Sequence, residues 1–111
     1  MKKEFVIPLS DQDRIGAEIN VERGQVVGFA IRYDVLVDEG WYNVAVFDAH
    51  AGNAHWHLND PIRGKGERRE IPLDLKDAIT YAFNTIRAQW EQWREQFIRR
   101  MQGHEQQENL F

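Results

Sequence analysis

Val27-Gly28-Phe29-Ala30-Ile31-Arg32-Tyr33-Asp34-Val35-Leu36-Val37-Asp38-Glu39-Gly40-Trp41-Tyr42-Asn43-Val44-Ala45-Val46-Phe47 decides the fold class. Apolar Val27, Phe29, Ile31, Tyr33, Val35 and Val37 alternate with Gly28, Ala30, Arg32 and Asp34, the period of two that an extended strand imposes on its faces. Asp38-Glu39-Gly40 interrupts the run as a hairpin turn. Beyond it, Tyr42, Val44 and Val46 share one face and Trp41, Asn43, Ala45 and Phe47 the other. A strand apolar on both sides belongs near the centre of a sheet.

The pattern extends in both directions. Upstream, Ile15, Ala17, Ile19 and Val21 alternate with Arg14, Glu18, Asn20 and Glu22, and Arg23-Gly24 turns the chain. Phe5 to Leu9 adds an edge strand, where Pro8 is tolerable because an edge need not donate every amide. Downstream, Ala49-His50-Ala51-Gly52-Asn53 turns into a short strand, Ala54 to Asn59, with Trp56 and Leu58 on one face and His55, His57 and Asn59 on the other. Arg63 to Glu70 reads as a flexible basic loop, and Asp74 as the N-cap of a helix, with Asp77 in its first turn. That helix is expected to run to about Gln102 and stop at Gly103. The expected fold is α+β: an antiparallel meander of four or five strands with one long C-terminal helix packed on one face. Residues 1–102 form a single domain in this reading, and residues 103–111 a flexible polar tail.

Ile79, Phe83, Ile86, Trp90, Trp93 and Phe97 make one stripe along the helix, opposite Arg87, Glu91, Arg94, Glu95 and Arg99. A helix of this span is about 40 Å long, while four or five strands make a sheet roughly 20 Å wide. The helix is therefore expected to overhang, leaving Trp90, Trp93 and Phe97 as the interface of a homo-oligomer, because a soluble monomer rarely exposes so large an apolar patch.

Composition narrows the function classes. With 111 residues, 42% hydrophobic and 12% aromatic, the chain suits one domain with a real core. It has no cysteine, which excludes disulfides and thiolate metal sites. No targeting or membrane-spanning run is visible, so a cytoplasmic protein with no membrane association is expected. The net charge of -4 argues against wholesale wrapping of nucleic acid and leaves room for a local basic patch.

Chemistry concentrates between Asp48 and Asp60, which holds three of the four histidines. His55 and His57 on one strand face are spaced so that two nitrogens can converge on one ion, with Asp48 or His50 as a third ligand for a divalent transition metal. With no metal or other cofactor, the same groups make an acid-base set in which Asp48 orients an imidazole, His55 or His57. The chain has one serine, Ser10, so covalent acyl transfer is improbable, whereas phosphodiester cleavage needs only a substrate hydroxyl or water. Arg63, Lys65, Arg68 and Arg69, spaced by two glycines, are the candidates for contact with phosphate or RNA.

Phe47-Asp48-Ala49-His50-Ala51-Gly52-Asn53-Ala54-His55 resembles a pattern in small uncharacterised prokaryotic proteins of the TumE type, which belong to toxin-antitoxin modules. The resemblance covers Arg32 to Arg100. It implies a strand meander with a C-terminal helix, a cognate protein partner, and Asp48, Gly52 and His55 as site positions. The leading functional expectation is a non-enzymatic interaction domain, homo-oligomeric and one component of a toxin-antitoxin pair. The alternative is a small RNA-cleaving or metal-dependent hydrolase using Asp48, His55 and His57.

Overall fold

A computed structural model describes residues 1–50 and 52–109, with backbone alone from residue 104 onward. Seven strands precede one helix: β1 (Lys2–Ser10), β2 (Asp13–Glu22), β3 (Gln25–Val37), β4 (Gly40–His50), β5 (Ala54–Asp60), β6 (Gly64–Lys65), β7 (Arg69–Ile71) and α1 (Leu75–Asn109). The strands are antiparallel, β1 to β6 lie in chain order, and β7 also pairs β5. This is the expected α+β meander. The two short strands come from the segment expected to be a loop.

Local chemistry sets each turn. Arg23 and Gly24 both take positive φ, 52° and 77°, and close the β2–β3 hairpin in the two-residue form that matches strand twist. Asp38, at φ 56°, closes β3–β4. Reciprocal bonds of 2.7 and 2.8 Å between Met1 and Val21 fix the phase of β1. Lys3, Phe5 and Ile7 therefore bond inward to β2, and the backbone groups of Lys2, Glu4, Val6 and Pro8 face the open edge. Pro8 thus lacks a donor where no ladder bond is needed. At the helix start, Asp74 Oδ1 accepts from Asp77 N at 2.8 Å, the N-cap its position implied.

The helix lies lengthwise along β3. Asp74 to Lys76 sit beside Gly24 to Val26 at one end of that strand. Toward its other end, Trp90 meets Tyr33 and Phe97 meets Tyr42, each at 6.3 Å between ring centres. The 13 residues of β3 span about 43 Å and Leu75 to Phe97 about 33 Å, so sheet underlies the stripe throughout. This overturns the overhanging oligomer interface at Trp90, Trp93 and Phe97. Trp93 and Phe97 are 8% and 5% exposed, and Trp90 is half-buried against the core. Sheet width was the wrong dimension to compare with a helix that follows the strands.

Phe47 and Trp56, directly opposite on β4 and β5, stack at 5.0 Å with 3° between ring planes. Trp93 closes on them at 6.5 and 5.9 Å. An irregularity in the β3–β4 register makes Val44 the extra residue, so Val44 and Ala45 both pack toward the helix and Val46 faces away. The strict alternation expected for β4 fails there. The helix also continues through Gly103 to Asn109, so the expected stop is absent and residues 103–109 of the expected tail are helical. One glycine costs a helix about 1 kcal/mol, and no proline follows to end it. Leu110 and Phe111 lie outside the described residues.

If the stripe is core, Trp93→Ala or Phe97→Ala should each lower stability by about 3–5 kcal/mol in urea unfolding, while Gln89→Ala on the exposed helix face stays within about 0.5 kcal/mol. Aromatic-to-alanine losses no larger than that of Gln89→Ala would contradict the seating.

Candidate functional site

The strand phase places Arg14, Gly16 and Glu18 of β2, Gly28 to Asp34 at every second residue of β3, Asp48 and His50 of β4, and His55, His57 and Asn59 of β5 on the face away from α1. The register aligns Ala30, Asp48, His55 and Glu70 in one row and Arg32, Val46 and His57 in the next. The histidine segment is therefore on the uncovered face, as its spacing implied.

Asp48 is the centre of the cluster. His55 Nε2 lies 2.8 Å from Asp48 Oδ1, and His50 Nε2 lies 3.8 Å from Oδ2. The first contact lacks the alignment of a hydrogen bond, and both Asp48 Oδ1 and His55 Nδ1 are buried without a hydrogen-bond partner. His55 thus encloses Nδ1 and turns Nε2 toward the carboxylate, with 15% of its side chain still exposed. His57 is buried as well, with Nδ1 unpartnered. Burial first, then the Lys65 ammonium, holds its pKa below the usual 6.5 and keeps the ring neutral. Lys65 pairs with Asn59, and Gly66 N donates to Leu58 O at 2.8 Å, an approach any side chain at Gly66 would block.

Among the described residues, no three His, Asp or Glu groups converge as metal ligands. The proposed set of Asp48, His50, His55 and His57 shares a face but assembles as one close pair, with His50 at longer reach. The phosphate candidates do not gather either. Arg68 pairs with Glu70 at 3.1 Å, and Arg69 stacks over Trp56 at 4.9 Å on the helix side. Lys65 lies opposite Asn59 on the other face, and Arg63 contributes a backbone bond of 3.0 Å to Asp60. The two glycines between these residues serve β6 and its close approach to β5.

Two polar constellations were missed by the sequence reading. On the helix side, Asp13 is 2% exposed and accepts from Ser10 Oγ at 2.5 Å and Tyr33 OH at 2.6 Å. Arg94 Nε stands 3.5 Å from the same carboxylate, and Arg94 Nη2 donates to Gln12 at 2.8 Å. Burial, then the bond to Asp13, pushes the Tyr33 phenol far above its usual 10. Beside this group a cleft of about 910 Å³ opens between the β1–β2 turn and the second half of α1. On the uncovered face, Arg14 Nε donates to Asp34 at 3.3 Å, Asn43 Nδ2 to Asp34 at 3.0 Å, and Asn59 Nδ2 to Asn43 Oδ1 at 2.7 Å. The Arg14 guanidinium caps the row by stacking 3.9 Å from the Trp41 ring centre. One signal was available: Asp13 falls in phase with Ile15 and Ala17, a carboxylate on a core face.

A family model described as a domain of unknown function (DUF7718) matches residues 1–103. No curated protein and no solved structure matches the chain. No described helix is long and apolar enough to cross a membrane.

Two outcomes follow from this geometry. Tyr33→Phe removes a hydrogen bond to a buried carboxylate and should cost about 1.5–3 kcal/mol in chemical unfolding; a neutral effect would contradict the network. For His57 the unfolded ring, titrating near 6.5, takes up its proton before the folded one does. Its contribution to stability is therefore complete above that pH and is lost as pH falls below it toward the depressed folded value. Between pH 7.5 and 5 the wild type should lose more stability than His57→Gln; parallel curves would contradict the assignment.

Proposed function

The chain belongs to the DUF7718 family, and we propose that it is a non-enzymatic protein-interaction domain that works as a homo-oligomer. The observation that carries this reading is the surface the helix leaves open. One face and one long edge of the sheet are uncovered, and β1 on that edge holds Phe5 and Val6 at 40% and 61% exposure. His55 Nδ1 is enclosed and Nε2 is directed at the Asp48 carboxylate, which leaves one imidazole nitrogen for any proton transfer and weighs against catalysis there. The uncovered face mixes Lys2 and Arg32 with Glu4 and Glu18, a balance that suits a protein surface better than a phosphate backbone. The TumE-type resemblance supports a cognate protein of a toxin-antitoxin pair as a further partner.

A second reading, a small RNA-cleaving or metal-dependent hydrolase, is favoured by one observation: Asp48 lies between two histidines, with His50 largely exposed. Sedimentation velocity and an RNA-cleavage assay separate the readings. Self-association gives a species of twice 13.1 kDa that populates with concentration, together with no cleavage. A monomer whose RNA cleavage disappears in Asp48→Ala and His55→Ala would overturn the interaction reading in favour of the enzyme.

A further inference from the structure

We propose that a second copy of this chain extends the sheet through β1, antiparallel and β1 against β1, with the two Phe5 residues facing each other across the two-fold axis. The proposal rests on the self-association reading above and names its surface.

The free groups are regular. Because Lys3, Phe5 and Ile7 bond inward, the amides of Lys2, Glu4 and Val6 and the carbonyls of Lys2, Glu4, Val6 and Pro8 point away from β2. Among the described residues the opposite side of the sheet offers no equivalent edge, since β6 and β7 occupy the outer side of β5. An antiparallel copy centred on Phe5 sets Glu4 against the partner's Val6, and each pair exchanges both backbone bonds. Lys2 then donates to the carbonyl of the partner's Pro8, the one outward position that accepts but cannot donate.

Charge selects the register. A pairing centred on Lys3 or on Glu4 places identical charges directly opposite, which destabilises a sheet. Centring on Val6 brings Lys2 to the irregularity at Ser10 and loses the bonds there. The Phe5-centred pairing opposes no like charges and sets Lys3 against the partner's Ile7.

The apolar side chains agree. Phe5 already stacks on Phe83 of α1 at 6.3 Å with 11° between planes, and the Arg87 guanidinium lies 5.5 Å over Phe83. The core thus reaches the sheet edge through a ring that is only partly covered, and the partner's Phe5 would complete it on the helix side. Val6, on the other face, would gain cover from the partner strand.

The chain has no cysteine, so introduced thiols report the register alone. At about 100 µM protein, chosen because an interface of one strand and its flanks sits at the low end of stable interfaces, the wild type should sediment as a dimer. Val6→Pro removes only an outward donor and should give a monomer with an unchanged circular dichroism spectrum. Phe5→Cys should form a disulfide-linked dimer on mild oxidation, because non-hydrogen-bonded antiparallel partners have Cα atoms about 4.5 Å apart. Val6→Cys should not cross-link. A dimer that ignores Val6→Pro and is not linked through Phe5→Cys overturns the edge pairing while leaving self-association standing, and cross-linking through Val6→Cys alone overturns the register. A wild-type monomer overturns both the edge pairing and the reading on which it rests.

Discussion

The packing of Trp93, tilted, onto the stacked rings of Phe47 and Trp56 holds α1 parallel to the long axis of β3, and the other features of the molecule adjust to that seating. Each large aromatic buries on the order of 150–250 Å², and these three come from a central strand, its neighbour and the helix. Once the helix runs along the strands, its whole stripe from Ala78 to Phe97 has sheet beneath it. A single helix then covers one face of the meander only. The remaining face and the β1 edge are left to satisfy themselves or to find a partner.

The uncovered face does so partly with its own side chains. Arg14, Asp34, Asn43 and Asn59 bond in a row across four neighbouring strands, and Trp41 shields the arginine end. Asp34 is consequently 5% exposed although no helix covers it. On the helix side, the Asp13 carboxylate is held by Ser10, Tyr33 and Arg94, which ties the β1–β2 turn, the sheet and the second half of α1 to one buried charge. A lost partner at such a charge costs more than the bond itself contributes, so the network discriminates against shifted helix positions. The Asp48–His55 contact differs from these networks: it lies on the uncovered face, partly exposed, with Asp48 Oδ1 and His55 Nδ1 left without a hydrogen-bond partner. Beyond the sheet the same seating lets α1 continue past Met101.

The strands, their order and the helix start were legible because periodicity and turn residues report local backbone directly. Val27 to Val37 reads as a strand in isolation, and Arg23-Gly24 and Asp38 sit where the chain reverses. The side on which His55 and His57 lie was legible for the same reason. The direction of the helix over the sheet was not, since the stripe from Ile79 to Phe97 specifies which face is buried but not along which axis. Nor was the extra residue at Val44, which depends on how β3 and β4 pair and which reverses the facing of Val44 relative to Val46. Pairings between residues far apart in sequence, Asp13 with Arg94 or Arg14 with Asp34, carry no local periodic signal. The basic run from Arg63 to Arg69 misled because its residues share a segment, while the sheet sends Arg69 and Lys65 to opposite faces.

The aromatic stripe is satisfied within one chain, and the open edge of β1 is the surface through which we propose that two chains pair. Residue-resolved amide hydrogen exchange, recorded at low and at high protein concentration, tests that pairing most directly. Edge pairing gives slow exchange at Lys3, Phe5 and Ile7 under both conditions, with Lys2, Glu4 and Val6 fast when dilute and slowed when concentrated. Protection of Lys2, Glu4 and Val6 that does not change with concentration, or equal exchange along the whole of β1, would contradict it.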